Sequence, residues 1–400
     1  MDMNALRSGA VQPAPFRVPP ALAPRPAAQD IQVRTISSQE GFSAIAADWE
    51  RLHSEARVAS VFNSWMWQYA WSDIYGHGQP LCILVASRGN AIVAILPLYI
   101  ETVAVLGLPV RRLRVIGSGG DTNPDDLGPF FARGCETAAA SALAQAVLTM
   151  KGVDVVELTD IDSRSPLPSA MKLEAERMQT ECALGQSENI AYLELAGDWK
   201  SYLASVSGHR RWHILSLRRK LAAAHRTRFF VWQDAANLDA ALDKLAELHR
   251  KRWGAQSKSF ASHEYMALHR AAMKECLERD WLRLYCLEID GEIGAMIYCY
   301  RFRKHIFMVQ AGFDPAYAKL SLGNVLLGHA LEHAIGEGNA VFDFLRGEHS
   351  YKQLFATGCR ETVSVTAFRQ TLGAVAYRAG RTYLAKAKEK ARQLVNALQS

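Results

Sequence analysis

The order helix, hairpin, strand, loop, helix, strand occurs twice along this chain, and no other feature constrains the fold as tightly. In the first copy, a strand at Ile31–Ile36 leads into helical segments through Trp49 and over 65–71. Residues 81–87 and 91–99 alternate or run apolar around the turn Arg88-Gly89-Asn90, the pattern of a hairpin. A strand at 112–116 follows, then a Gly-, Asp- and Pro-rich loop, an alanine-rich helix ending at Met150, and a strand at 153–158. The second copy starts with a helix over Leu238–Trp253. Strands at Leu282–Ile289 and 293–302 flank the turn dipeptide Asp290-Gly291. A strand at 306–313 and a loop come next. The helix 323–335 then carries Leu326, Leu327, Ala330, Leu331, Ala334 and Ile335 on one face, stops at Gly336 and Gly338, and gives way to a strand at 340–345. The residues hardly match between the copies, so what repeats is the architecture. It predicts two mixed-sheet α/β (α+β) domains packed side by side, joined near 163–188, where Ser, Pro and polar residues thicken.

A chain of 400 residues suits two domains, and 49% apolar with 22% charged residues is a globular balance. No run reaches the ~18–20 apolar residues of a membrane helix. Pro13, Pro15, Pro19, Pro20, Pro24 and Pro26 exclude a signal-peptide core, so residues 1–30 are expected to be a disordered leader and the protein cytoplasmic. The seven cysteines are odd in number and scattered, as core thiols in a reducing compartment would be. No Cys-x-x-Cys or His-Glu-x-x-His appears, so no metal is expected. The net charge of +6 is too weak to imply DNA or other nucleic acid.

One loop has the composition of an anion site. After Phe313-Asp314-Pro315 the chain runs through Tyr317, Lys319, Ser321, Leu322, Gly323 and Asn324 into a helix. Free N–H groups at a helix start attract phosphate, Ser321 can cap the helix, Gly323 permits close approach, and Lys319 adds charge. Taken alone, the spacing marks no more than a helix start.

Further motifs narrow the choice: Leu248-His249 with Arg252-Trp253, Gly312-Phe313-Asp314-Pro315, Ser321-x-Gly323, Asp343-Phe344-Leu345-x-Gly347 and Tyr351-Lys352. In the first half, Leu96-Pro97-Leu98 and Leu113-Arg114-x-Ile116-Gly117-Ser118-Gly119 also fit. With these, the sequence resembles the CelD-type acyltransferases associated with cellulose biosynthesis, within the Gcn5-related N-acetyltransferase (GNAT) superfamily, over roughly residues 40 to 370. The resemblance implies two tandem GNAT-like domains. One, at 31–185, is expected to lack a cofactor and the other, at 186–370, to bind acyl-CoA; beyond the resemblance, a basic helix is expected at 371–400. It implies acetyl-CoA or another acyl-CoA on the loop from Tyr317 to Asn324, a thioester carbonyl polarised by backbone N–H from the 306–313 strand, and attack by an amine or hydroxyl. The acceptor would be a small molecule or a saccharide, and the family's name points to cellulose or exopolysaccharide synthesis. Members commonly take the acid from a Tyr where this chain has Phe355, so Tyr351 is the substitute. Lys352 would stabilise an oxyanion or grip an anionic acceptor. Asp343, expected to have a raised pKa, would be the base, or would only pair with Arg346 or hold a loop; Glu348 and His349 rank below it.

His249, Arg252 and Trp253 are expected at the acceptor pocket or, equally, as anchors of a helix end. In the first half, Gly117-Ser118-Gly119-Gly120 is followed by Asp121, Asp125 and Asp126. Three carboxylates would repel a phosphate, so Asp121 and Asp126 are expected to attract an acceptor or simply to shape a turn. Basic residues over 208–228 interleave with Trp212, Ile214, Leu215, Leu217 and Leu221, reading as an amphipathic helix that is either solvated or grips an anion. This helix and the basic tail could contact a membrane surface or polysaccharide-synthesis machinery. Two rivals stand beside acyl-CoA chemistry: aminoacyl transfer from tRNA, as in peptidoglycan-bridge synthesis, and a non-catalytic subunit of an exopolysaccharide machine.

Overall fold

The computed structural model describes residues 30–122, 124–254, 257, 259–347 and 350–399. The expected leader at 1–30 lies outside them but for its last residue, as do Glu348 and His349.

The first-half strands are β1 (Ile31–Ile36), β2 (Ile83–Arg88), β3 (Ala91–Leu96), β4 (Leu98–Val105), β5 (Leu108–Val115), β6 (Phe130–Phe131) and β7 (Val155–Asp162). The seam and second half supply β8 (Cys182–Glu194), β9 (Thr227–Val231), β10 (Leu282–Ile289), β11 (Glu292–Phe302), β12 (His305–Phe313), β13 (Val341–Asp343) and β14 (Gly358–Phe368). A small sheet runs β1-β2-β3-β6, and a ten-stranded sheet runs β4-β5-β7-β14-β8-β13-β12-β11-β10-β9. The mixed α/β class and the doubled architecture are as the periodicity predicts.

Three differences have physical causes. The strand expected at 91–99 breaks at Pro97, which has no N–H for a ladder, so β3 stays in the small sheet while β4 turns into the large one. At 163–188, where the join is expected and the strand signal fades in sequence, the chain forms the helix Leu167–Arg177 and the start of β8. The basic helix ends at Ala224, and Arg226 and Arg228 belong to the next turn and to β9.

The seam is woven by the last strand. β14 lies between β7 of the first half and β8, antiparallel to both, so one sheet runs through the whole molecule. Helices cover both faces of the second half. Leu238–Trp253 and His263–Glu278 pack on one face, in a core continuous with Trp49, Phe62, Trp67 and Trp71 of the first half. Gly208–Ala224 and Leu322–Gly336 pack on the other. This double cover explains why β10 is buried along almost its whole length.

Candidate active site

β12 and β13 are parallel for only three residue pairs, ending at Phe307↔Asp343. Beyond that point β12 continues to Phe313 with β11 as its only strand neighbour among the described residues. The register against β11 shifts between Tyr298↔Gln310 and Cys299↔Met308, so Val309 is an extra, bulged residue. A bulge interrupts the ladder and leaves backbone groups unpaired. Here it lies where the partner on the other edge has just ended.

The splay opens onto a cavity of about 540 Å³ between the halves. Its strand walls are Met308, Val309, Gln310 and Ala311 on one side and Phe344, Leu345 and Arg346 on the other. Helices and loops of the second half contribute His249, Arg252, Trp253, Ser257, Ser259, Tyr265, His269 and Lys352. The first half contributes Phe62, Trp67, Asp121, Thr122, Pro124 and Asp125. Four of the five residues expected at the acceptor pocket, His249, Arg252, Trp253 and Asp121, thus converge from distant parts of the chain. The fifth, Asp126, sits behind the wall.

The arrangement is held from outside. Gly312 lets the helix Leu238–Trp253 lie directly on β12: a Cβ there would stand 2.5 Å from the backbone N of His249. The His249 ring bonds the Ala311 carbonyl through Nδ1 at 3.2 Å and meets Ser257 Oγ through Nε2 at 2.9 Å. Gln310 donates to Ser259 Oγ and the Tyr265 hydroxyl. Asp121 accepts from the hydroxyls of Tyr75 and Ser262, tying the halves together across the cavity mouth. Trp67 is only 2% exposed, yet its indole N–H has no hydrogen-bond partner among the described residues. A buried donor left in that state is costly, and here it belongs to a ring that lines the cavity.

Lys352 is buried at the cavity, and its ammonium donates to the carbonyls of Leu345 (3.0 Å) and Arg346 (2.5 Å). Burial pulls its pKa down to about 8, against the pull of Asp125 and Asp343. The backbone of Tyr351 lies in the helix Ser350–Phe355, but its side chain lies outside the described residues. Phe355 is buried in the core.

Asp343 does not meet the expectation of a base with a raised pKa; it holds the loop after β13, the other role expected of it. Its carboxylate is fully buried, receives the Leu345 N–H (2.7 Å) and the Arg360 Nε–H (2.7 Å), and does not line the cavity. Burial alone would raise its pKa, but Arg360 and His305 outweigh burial and hold it below the usual value. The partner is Arg360, not Arg346. Arg346 instead bonds Asp125 (2.8 Å) and Asp160 (2.5 Å), and Arg360 also forks onto Asp126. Burial pushes Asp126 up to about 7 in spite of that fork.

The loop expected to hold a diphosphate forms a 3-10 turn over Pro315–Leu320 and then the helix Leu322–Gly336. Ser321 makes no side-chain cap, contrary to expectation: it sits at φ 52°, ψ 48°, the left-handed kink between the two helices. Leu322 is core, Gly323 and Asn324 are partly exposed, Lys319 is exposed, and Tyr317 packs edge-on to His225. A Cβ on Gly323 would stand 3.2 Å from the Phe313 ring, whose face also carries the Arg252 guanidinium at 4.6 Å. Phe313 therefore links the helix start to the cavity wall. The glycine loop of the first half is different. A Cβ at Gly117, Gly119 or Gly120 would strike Trp67, the Tyr99 hydroxyl or the Tyr75 ring, so side chains fill that loop.

Sequence reasoning missed Trp67, Ser257, Ser259, Tyr265, His269 and Gln310. Each is ordinary in its own segment, and only the folding of the halves against each other brings them together.

Residues 208–353 match the acetyltransferase (GNAT) domain family. No curated protein matches the chain. Among solved structures, FemX superposes with TM-score 0.57 at 10% identity, covering 84% of this chain and 96% of that one. A conserved protein of unknown function from Bacteroides thetaiotaomicron gives 0.51 at 9% identity over 84% and 100%. L-PGS from Bacillus licheniformis gives 0.51 at 14% identity over 84% and 96%. At such identities the likeness is one of fold.

Proposed function

We propose that this chain, with an acetyltransferase (GNAT)-type domain over residues 208–353, transfers an acyl group from an acyl-CoA thioester to an amine or hydroxyl acceptor held between its halves. The observation that carries the proposal is the splay of β12 from β13 with its bulge at Val309, opening onto the cavity. Amides on the edge that β13 leaves uncovered beyond Phe307 suit the oxygen of a carbonyl under attack, since donors fixed in advance stabilise charge as it develops. The diphosphate is assigned to the amides of Leu322 and Gly323, with Tyr317, Lys319, Ser321 and Asn324 around it. The fit rests on the partly exposed Gly323 and the positive charge at Lys319.

The acceptor is assigned to the space between Trp253 and Trp67. The unpaired Trp67 N–H supports an acceptor bearing a hydrogen-bond-accepting group. Lys352 stiffens the opposite wall and brings a positive charge to the reacting centre. Tyr351, beside it in sequence, is assigned protonation of the departing thiolate. Asp343 is assigned no proton: its task is to anchor Arg360 and Leu345. A saccharide acceptor in cellulose or exopolysaccharide synthesis rests on the sequence resemblance alone.

The test is a thermal-shift panel of CoA, acetyl-CoA and longer acyl-CoAs, because a ligand bound only by the folded state raises its apparent stability. Stabilisation that weakens in Gly323→Glu is expected, and a flat profile across the panel removes the proposal. A second reading, aminoacyl transfer from tRNA, draws on the exposed Arg211, Arg219 and Lys220 around Trp212, itself 54% exposed. It requires steeply salt-dependent tRNA binding. Binding without turnover would instead leave the non-catalytic subunit.

A further inference from the structure

The bonds of His249 fix its chemistry. A carbonyl oxygen only accepts, so Nδ1 must carry the proton it gives to Ala311. A neutral ring then has a bare Nε2, and the Ser257 hydroxyl, 2.9 Å away, donates to it. Ser257 Oγ in turn accepts the Ser259 N–H at 3.2 Å, which orients its lone pairs. Burial, with Arg252 and Arg250 nearby, keeps the ring neutral by holding its pKa below 6.5. His249, Ser257 and Ser259 all line the cavity, and Ala311 is two residues beyond the bulge.

We infer that His249 is the general base of the transfer and that Ser257 relays the proton to it. As the acceptor nitrogen or oxygen forms its bond to the acyl carbon, its proton passes to Ser257 Oγ while the Ser257 proton passes to Nε2. The carbon–sulfur bond breaks, and the electron pair leaves on the thiolate. Nothing is oxidised or reduced, and Ser257 ends as it began. The inference rests on the acyl-CoA reading but assigns a role that reading leaves open.

With acetyl-CoA as donor and water as the available acceptor, thiol release by the full-length protein should fall ~10²- to 10⁴-fold in His249→Gln, the span of general-base contributions. Ser257→Ala should lose less, and Ser257→Thr should recover most of it. The wild-type rate should rise with pH through a pKa below 6.5, and that limb should vanish in His249→Gln. Histidine-selective ¹⁵N NMR should show the His249 ring protonated at Nδ1 at pH 7, with Nε2 shifting in Ser257→Ala. A ring protonated at Nε2, an acyl adduct on Ser257 by intact mass, or thiol release indifferent to His249 would each overturn the relay. Absence of acetyl-CoA binding in the thermal-shift panel overturns the proposed function instead.

Discussion

At the scale of single residues, burial and hydrogen bonding reassign the roles that residue type suggests. Asp343 looks like a base in sequence because it sits in a strand beside Phe344 at the carboxyl edge of the sheet, yet Arg360 keeps it ionised and out of the cavity. Lys352 was legible as a functional cation, but its two carbonyl partners and its burial were not, since both come from the return of the loop after β13. That burial has a measurable consequence. The folded pKa of about 8 lies below the ordinary 10.5, so between these values the unfolded chain holds more protons. The penalty is fully present below pH 8 and is relieved as pH rises toward 10.5. Relative to Lys352→Met, the wild type should therefore gain stability over this window in urea titrations; parallel curves would show that the charge costs nothing where it sits.

At the scale of elements, the second half was largely readable. The helix Leu238–Trp253 and strand β10 lie where periodicity and turn chemistry put them, because their apolar faces are set locally. Close contacts between elements were not readable. Gly312 appears in sequence as part of a short motif, whereas in the fold it is the point where helix backbone meets strand backbone. Gly312→Ala must push the two apart, at a cost of about 1–3 kcal/mol as for other overpacked sites. The control is Gly336→Ala, where a Cβ meets nothing within 4 Å and reduced freedom of the unfolded chain should add about 0.4–1 kcal/mol. Melting temperatures should move in opposite directions, and the same shift in both would refute the contact.

At the scale of the whole molecule, the halves are joined by β14 and by ion pairs beside the cavity: Arg346 with Asp125 and Asp160, and Arg360 with Asp126, while Arg360 also pairs with Asp343 of its own half. Removing one partner of a buried pair strands the other charge. Arg360→Ala is therefore expected to lose ~3–5 kcal/mol. Asp126→Asn should be far milder. Its carboxyl is raised from 3.8 to about 7, so the folded state holds the extra proton, and the wild type should lose stability as pH rises between these values. That decline should flatten in Asp126→Asn, as followed by melting temperature from pH 4 to pH 7.5. An unchanged decline would place the titrating group elsewhere.

The sequence by itself determined the doubled α/β plan, most second-half elements and the residue types that gather at the cavity, because periodicity, turns and capping act over a few residues. Tertiary structure alone decided that β14 closes the seam, that Trp67 and Asp121 line one cavity with His249, and that the carboxylate of Asp343 is tied up by Arg360. Those outcomes depend on contacts between residues hundreds of positions apart, where desolvation and charge pairing, not local pattern, set the energy.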